Sequence, residues 1–382
     1  MREPLTNGHV IGATRDRDEP WDTPFTPGTV RRKLIEVDWD GNTVWTYTPK
    51  DIPHHDYCVM ASGNILAICR ETVPERYKSN MADEERRNST IYSDYLIEVT
   101  REGEIVWEWH EYEHLDINRY CPICHVEDWT HTNTVQELPE TTLGTANPRF
   151  RAGNILINPR NHNTFYIIDK ETEDVVWSWG RGILNHSHQV TMLHSGNIIL
   201  FNNGTHSAPS GHSQVIEMNP VTGEIVWLYE NGPYFYSPRG SGVQRLPNGN
   251  TLVCSANTAR LFELTPEKKI VWEFVCPDAE KVYRAFRLPY NYCPQFAALP
   301  KPKEAAIIPG VTYTIKCDIT LPGDINEDNV VNDSDLAQLV ASYAPGIGDP
   351  RYEAKSDLNQ DGVVDYLDLA ILGANYGREA GD

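Results

Sequence analysis

Short apolar runs with a period of two, broken by Gly, Asn and Pro, fill most of the first 290 residues, and helical periodicity is absent from them. The runs recur as a phrase. A turn, two apolar residues and a Trp close each unit: GNTVW ending at Trp45, GEIVW at Trp107, EDVVW at Trp177, GEIVW at Trp227 and KKIVW at Trp272. Before each phrase lies an alternating strand with an acid near its end: KLIEVD (33–38), YLIEVT (95–100), FYIIDK (165–170), QVIEMN (214–219) and RLFELT (260–265). Before that lies a strand entered through a Gly turn: NGHVIG, SGNILAI, AGNILI, SGNIILF and NGNTLVC. A further run precedes the Gly turn in most units. Four strands per unit, repeated five times, predict an all-β propeller.

The ends of the array are unequal. The first unit opens at LTNGHVIG with no strand before it, and VYRAFRLP (282–289) follows the last Trp phrase with no Gly strand after it. The late strand is expected to complete the first blade, which would close the ring and remove exposed sheet edges. The literal count is five blades; a segment upstream of Met1, which reads as the start of a mature or truncated chain, would supply a sixth.

The pattern changes after residue 297. Residues 298–322 are Pro-rich, then alternating, and read as a linker with one strand. Beyond it, DINEDNVVNDSD places Asp324, Asn326, Asp328, the Val330 carbonyl, Asn332 and Asp335 at positions 1, 3, 5, 7, 9 and 12 of a calcium loop. DLNQDGVVDYLD repeats this with Asp357, Asn359, Asp361, Val363, Asp365 and Asp368. Each loop feeds an apolar helix, LAQLVASY or LAILGANY. The expected division is a propeller at 1–297, a linker at 298–322 and a calcium-binding domain at 323–382.

The net charge of −21 fits this division, because 14 acidic against 3 basic residues lie from Asp318 onward. With no basic stripe to displace counterions, a nucleic-acid partner is excluded. No apolar run reaches the roughly 20 residues of a bilayer span. Eight cysteines permit disulfides; Cys58 and Cys69 are expected opposite each other across the Ser62–Gly63–Asn64 hairpin. CPICH, from Cys121 to His125, matches the attachment motif for haem c, although a local disulfide or thiol pair bracing a loop fits the same five residues and haem is the lesser expectation.

The propeller's candidate chemistry comes from its inner strands, where the residues in matched register are His55, Asn133, His188, Ser241 and Tyr283. Such positions converge on the axial channel, so a polar funnel is expected there.

Two resemblances sharpen these readings. The last sixty or so residues resemble the dockerin family, which implies Ca²⁺ at two sites and a cohesin-like partner or another copy of the chain. Recognition would run through Asp333 with Ser334 and Tyr366 with Leu367. HHDYCVMASGNIL (54–66), DWTHTNTVQEL (128–138), HSHQVTMLHSGNIILFNNG (186–204), SGVQRLPNGNTL (241–252) and VYRAFRLPYNYCP (282–294) resemble the arylsulfotransferase family in order. That resemblance implies a periplasmic, cell-surface or extracellular propeller that transfers sulfuryl groups between phenols through a sulfated histidine. It implies six blades, which are therefore expected here, with the literal count of five as the alternative. The family's HxN motif falls on His131 and Asn133, and its QH motif on His188 with Ser187 in place of Gln. His206 stands near an arginine of some members. The implied roles are His131 and His188 as nucleophile and oxyanion partner in either order, with His55, His206 and Asn133 assisting. The family's usual nucleophile comes from a later blade, but no histidine follows His212, and Arg239 and Ser241 are the nearest equivalents. A non-catalytic propeller that binds a phenolic or sulfated ligand, or a structural subunit of an extracellular assembly or filament, is the alternative.

Overall fold

In the computed structural model the described residues are 5–14, 32–206, 211–276, 279, 281–297, 299, 323–326, 328, 330–344, 349–358 and 363–377. They fall into two compact units, residues 1–301 and 302–382. The strand of the expected linker lies outside the described residues.

The first unit is a five-bladed propeller, so the literal count of the repeat holds rather than six. Blade one contains β1 (Val10–Thr14), β2 (Lys33–Val37) and β3 (Thr43–Tyr47). Blade two contains β4 (Ile52–Val59), β5 (Ile65–Thr72), β6 (Tyr92–Val99) and β7 (Ile105–His110). Blade three contains β8 (Thr132–Glu137), β9 (Ile155–Pro159), β10 (Phe165–Ile168) and β11 (Val175–Trp179). Blade four contains β12 (His188–Met192), β13 (Ile198–Asn202), β14 (Gln214–Met218) and β15 (Ile225–Glu230). Blade five contains β16 (Gly242–Arg245), β17 (Thr251–Ser255), β18 (Arg260–Leu264) and β19 (Ile270–Val275). Each blade is an antiparallel meander in chain order, and in blades two to five the middle strands are mostly buried because both faces pack on neighbouring blades.

The recurrent Trp and acid have a shared explanation. The indoles of the phrase residues Trp45 and Trp227 donate to carbonyls of Arg101 and Pro266, and in blades two and three a second Trp two residues on, Trp109 or Trp179, donates to Glu173 or Gly223, each carbonyl in the outer turn of the next blade. The acid of the third strand pairs with a cation from that next blade: Glu36 with Arg101, Glu98 with Lys170, Glu217 with Arg245. Arg101 and Arg245 also lie over the Trp45 and Trp227 rings.

Ring closure departs from expectation. Residues 281–289 form no strand and do not complete the ladder of blade one. Their backbone is spent on blade five, with Ser241 N donating to Tyr283 O at 3.0 Å and Val282 N to Ala256 O at 3.1 Å. Arg287 nevertheless pairs with Glu263 and covers Trp272, the lock that a following blade supplies elsewhere. Arg284 reaches across to blade two, where Nη1 meets Asp56 Oδ1 at 3.0 Å with both side chains buried, and Asp56 Oδ2 accepts from Val135 N of blade three. Gln295 Nε2 donates to Asn7 O beside blade one. Removing one partner of a buried pair typically costs about 3–5 kcal/mol. Arg284→Met should therefore lower unfolding free energy by about that amount in a denaturant titration, with Asp56→Asn in the same chain recovering part of it; a loss below about 1 kcal/mol would show that the pair does not close the ring.

The cysteine expectation also changes. Cys58 pairs in register with Leu66, and Cys69 with Pro53, so the two are not cross-strand partners. Both residues are buried.

The second unit packs Ile325, Val331, Leu339, Val364 and Leu372 between two helices, Asp333–Ala341 and Tyr366–Asn375. Both helices start at a loop position 9, Asn332 or Asp365, and both carry a capping box closed by position 12, Asp335 or Asp368. A bridge between Ala344 and Val364 joins the halves. No helix among the described residues is long and apolar enough to cross a membrane.

Candidate active site

The inner strands of blades two, three and four each lose register near the same end, between Pro53 and Tyr57, Thr132 and Val135, and His188 and Thr191. At or beside each break a non-glycine residue takes the left-handed conformation: His55 at φ 55°, His131 at 54° and Gln189 at 45°. That conformation costs an L-residue roughly 1–2 kcal/mol. Bulges of this kind re-aim side chains, and strain held at three equivalent points marks a built site. Its product is a cluster of rings. His55 and His131 lie 4.7 Å apart between centroids, and Tyr283 stands 6.4 Å from His55 and 6.3 Å from His188.

Each imidazole has its Nδ1 engaged, which fixes the nitrogen left for chemistry. His131 Nδ1 lies 2.5 Å from Asp128 Oδ2, and Arg70 holds the other Asp128 oxygen. Burial alone would raise the Asp128 pKa, but His131 and Arg70 outweigh it and hold the carboxyl well below its usual range. A carboxylate can only accept, so Nδ1 of His131 carries a proton, and in the neutral ring Nε2 is the nitrogen left with the lone pair. His188 Nδ1 lies 2.7 Å from Asn203 Oδ1, and the Asn203 amide donates to Ser237 O and Gly240 O, so Nδ1 donates here too. His55 Nδ1 meets His54 Nδ1 at 2.5 Å, and His54 Nε2 meets Asp94 Oδ1 at 2.9 Å. Asp94 is fixed in turn by Thr130 Oγ1 and Thr132 N, and although burial would raise its pKa, His54 and Arg70 hold it low. Two Asp-to-His chains therefore converge at His55 and His131.

Burial first, and neighbouring His131, His54 and His188 next, keep His55 well below the usual imidazole range. Burial and then Arg160 do the same for His188. Both rings are neutral at pH 7. His188 is 3% exposed, whereas the His131 side chain is 26% exposed. Arg160 hydrogen bonds Asn161 Oδ1 and forms no ion pair to a carboxylate among the described residues, so its charge is open to an anion.

The five expected residues separate. His55, His131 and His188 converge. Asn133 is fully buried, with Nδ2 donating to Ser187 O and Oδ1 accepting from Asn158 Nδ2 and Thr134 Oγ1, which ties blade three to blade four. His206 stands in a second group, 4.7 Å from His186 between ring centroids. His125, of the haem-type motif, is exposed, while Cys121 and Cys124 turn toward His186 and His206. Asp128, Asp94, His54 and Arg160 were missed by register alignment, because a side chain that backs an imidazole need not share its strand position. Arg160 had a usable signal: it follows the Gly-entered strand of blade three, where His206 follows that of blade four.

In the second unit the carboxylates of Asp324, Asp328 and Asp335 lie within 4.8 Å of one another. Asp335 accepts from the N–H groups of Ile325, Asn326 and Asn332, and Asp328 N donates to Asp324 Oδ1, so the loop already wraps a focus of hard oxygens. In the second loop Asp368 accepts from Leu358 N and Asp365 N, and Tyr352 O–H donates to Asp357. Asn359 and Asp361 lie outside the described residues. The donor set fits Ca²⁺, with Asp324, Asn326, Asp328, the Val330 carbonyl, Asn332 and Asp335 as the holding residues of the first loop; the ion would neutralise carboxylates that otherwise repel.

Comparison with known proteins gives two family matches, an arylsulfotransferase (ASST) model over residues 23–276 and a dockerin type I model over 322–375. No curated protein matches the chain. Among solved structures it is similar to a protein of unknown function from Bacteroides caccae, with 17% identity, TM-score 0.39 and coverage of 65% of this chain and 70% of that one. It is similar also to virginiamycin B lyase from Staphylococcus aureus, with 11% identity, TM-score 0.37 and coverage of 71% and 76%. The WD40 β-propeller domain of Doa1 is 14% identical, with TM-score 0.37 and coverage of 72% and 90%.

Proposed function

The chain belongs to the arylsulfotransferase family and ends in a type I dockerin, and on that premise we propose that it transfers a sulfuryl group from an aryl sulfate to a phenol through His131 while the dockerin tethers it to a cohesin-bearing extracellular assembly. The observation that carries this reading is the Asp128-backed His131, partly exposed beside His55. His131 Nε2 attacks sulfur, the N–S bond forms as the S–O bond to the donor phenol breaks, and the phenolate leaves. Asp128 stabilises the imidazolium that results. Arg160 meets the sulfuryl oxygens; the lone pair at His188 Nε2 suits that anionic role poorly, so His188 stands as a second proton acceptor. In the return half, His55 Nε2 takes the acceptor's phenolic proton, the phenolate attacks sulfur, and the N–S bond breaks.

A second reading has one observation in its favour. Where the family's usual nucleophile falls, Ser241 is buried and its Oγ is given to Ser237. The same cluster would then hold a phenolic or sulfated ligand without transfer. Incubating the full chain with nitrophenyl sulfate and a second phenol separates the two. The transferase reading expects nitrophenol release that rises with acceptor concentration and a sulfated acceptor. Binding of the aryl sulfate with neither product supports the alternative.

A further inference from the structure

We propose that Cys121, Cys124, His186 and His206 form a four-ligand zinc site that staples three segments of the propeller together. The four residues each offer a ligand atom, and these atoms lie within 4.8 Å of one another. Cys121 and Cys124 lie on the loop between β7 and β8, His186 immediately before β12, and His206 just after β13. Cys124 Sγ lies 2.6 Å from Cys121 Sγ, 3.4 Å from His186 Nε2 and 3.9 Å from His206 Nε2.

Two features set this group apart from a thiol pair that merely braces a loop. His186 is fully buried and its Nε2 is turned to the thiols. A buried imidazole whose Nε2 faces two thiols offers them a third ligand atom of the kind that structural zinc takes. Both histidines also hold left-handed backbone, at φ 57° and 69°, and Asn163 Oδ1 accepts from His186 N at 2.8 Å to hold that turn. The arrangement thus directs two imidazoles at one Cys-x-x-Cys pair. Two thiolates and two imidazoles form the tetrahedral donor set of structural zinc, with Zn–S near 2.3 Å and Zn–N near 2.0 Å, and four protein ligands leave no open position. Loading would move the two thiols apart by about 1 Å to span a tetrahedral edge.

The location gives the ion a task. The group borders a cleft of about 770 Å³ lined by Cys121, Arg119, Arg181, Asn185 and His206 among others. His186 lies two residues before His188, so a bound ion would anchor the start of the strand that carries His188.

The test is metal loading of the full chain with calcium held constant, in a non-thiol reductant. Zinc measured by mass spectrometry should reach one ion per chain, and Co²⁺ should give the visible bands of a tetrahedral thiolate site. Cys121→Ser with Cys124→Ser should abolish both signals. Because His186 is buried and its replacement could unfold the chain, His206→Ala serves as the second variant: it should keep the fold and weaken zinc binding at least 10-fold. Absence of stoichiometric zinc and of the cobalt bands in the reduced, folded chain overturns the site, as does a haem bound covalently at Cys121 and Cys124 or a disulfide between them that persists under reductant.

Discussion

Replacing His131 with alanine should lower sulfuryl transfer by several orders of magnitude while leaving the thermal unfolding midpoint within a few degrees. The two parts of that expectation rest on different observations. His131 is partly exposed and bonded through Nδ1 to one carboxylate, so little packing is lost with it. Its Nε2 is the atom assigned to the N–S bond, and no neighbouring group replaces a nucleophile that forms a covalent intermediate. Arg160→Met removes a charge stabiliser instead, and the expected loss is about 10²- to 10³-fold. Asp128→Asn keeps the shape but reverses the tautomeric preference of His131, so its effect should fall on kcat more than on KM. Equal losses for all three variants, or a loss for His131→Ala no greater than for Arg160→Met, would remove His131 from the covalent role.

Withdrawing calcium by dialysis should unfold residues 323–377 and leave the propeller folded. Asp324, Asp328 and Asp335 bring three carboxylates to one focus, and among the described residues the apolar core between the two helices contains five buried side chains. So small a unit depends on its ions. At free calcium 1,000-fold above Kd, one site contributes about 4 kcal/mol, comparable to the whole stability expected of such a module. Calorimetry should show a low-temperature transition that moves with calcium concentration and a second transition that does not. Asp335→Ala should abolish the calcium dependence of the first loop, because the same carboxylate closes the loop and caps the helix. Helical signal unchanged after dialysis would contradict the account.

The parts of the fold that were legible in the sequence are those dictated by local repetition. Strand period, Gly turns and the Trp phrase located four strands in four blades and three in the first, and the twofold loop spacing located both helices. The closing segment was legible only in part. VYRAFRLP shares Arg-Leu-Pro with the inner strand of blade five, and Arg287 does occupy the matching lock, but whether residues so placed form a ladder depends on where distant backbone groups are spent. The site was legible where histidines recur in register. It was hidden where a side chain acts from behind: Asp94 lies 40 residues from His54, and Asp128, though only three residues before His131, meets its ring through the left-handed turn at His131 that an alternating pattern does not reveal. The bulges at His55 and His131 are similarly absent from an alternating pattern that reads as regular strand. His206 shows the limit of motif alignment, since one register position can point to either of two adjacent clusters.

The central claim is that a histidine of this channel becomes covalently sulfurylated. Intact-mass and peptide mass spectrometry of the full chain, quenched after incubation with an aryl sulfate and no acceptor, measures it directly. The account predicts a single adduct of about 80 Da, one SO₃, on the peptide containing His131, absent in His131→Ala and discharged by added phenol. An unmodified chain under conditions where calcium is present and both units are folded, or an adduct confined to another residue, would contradict it.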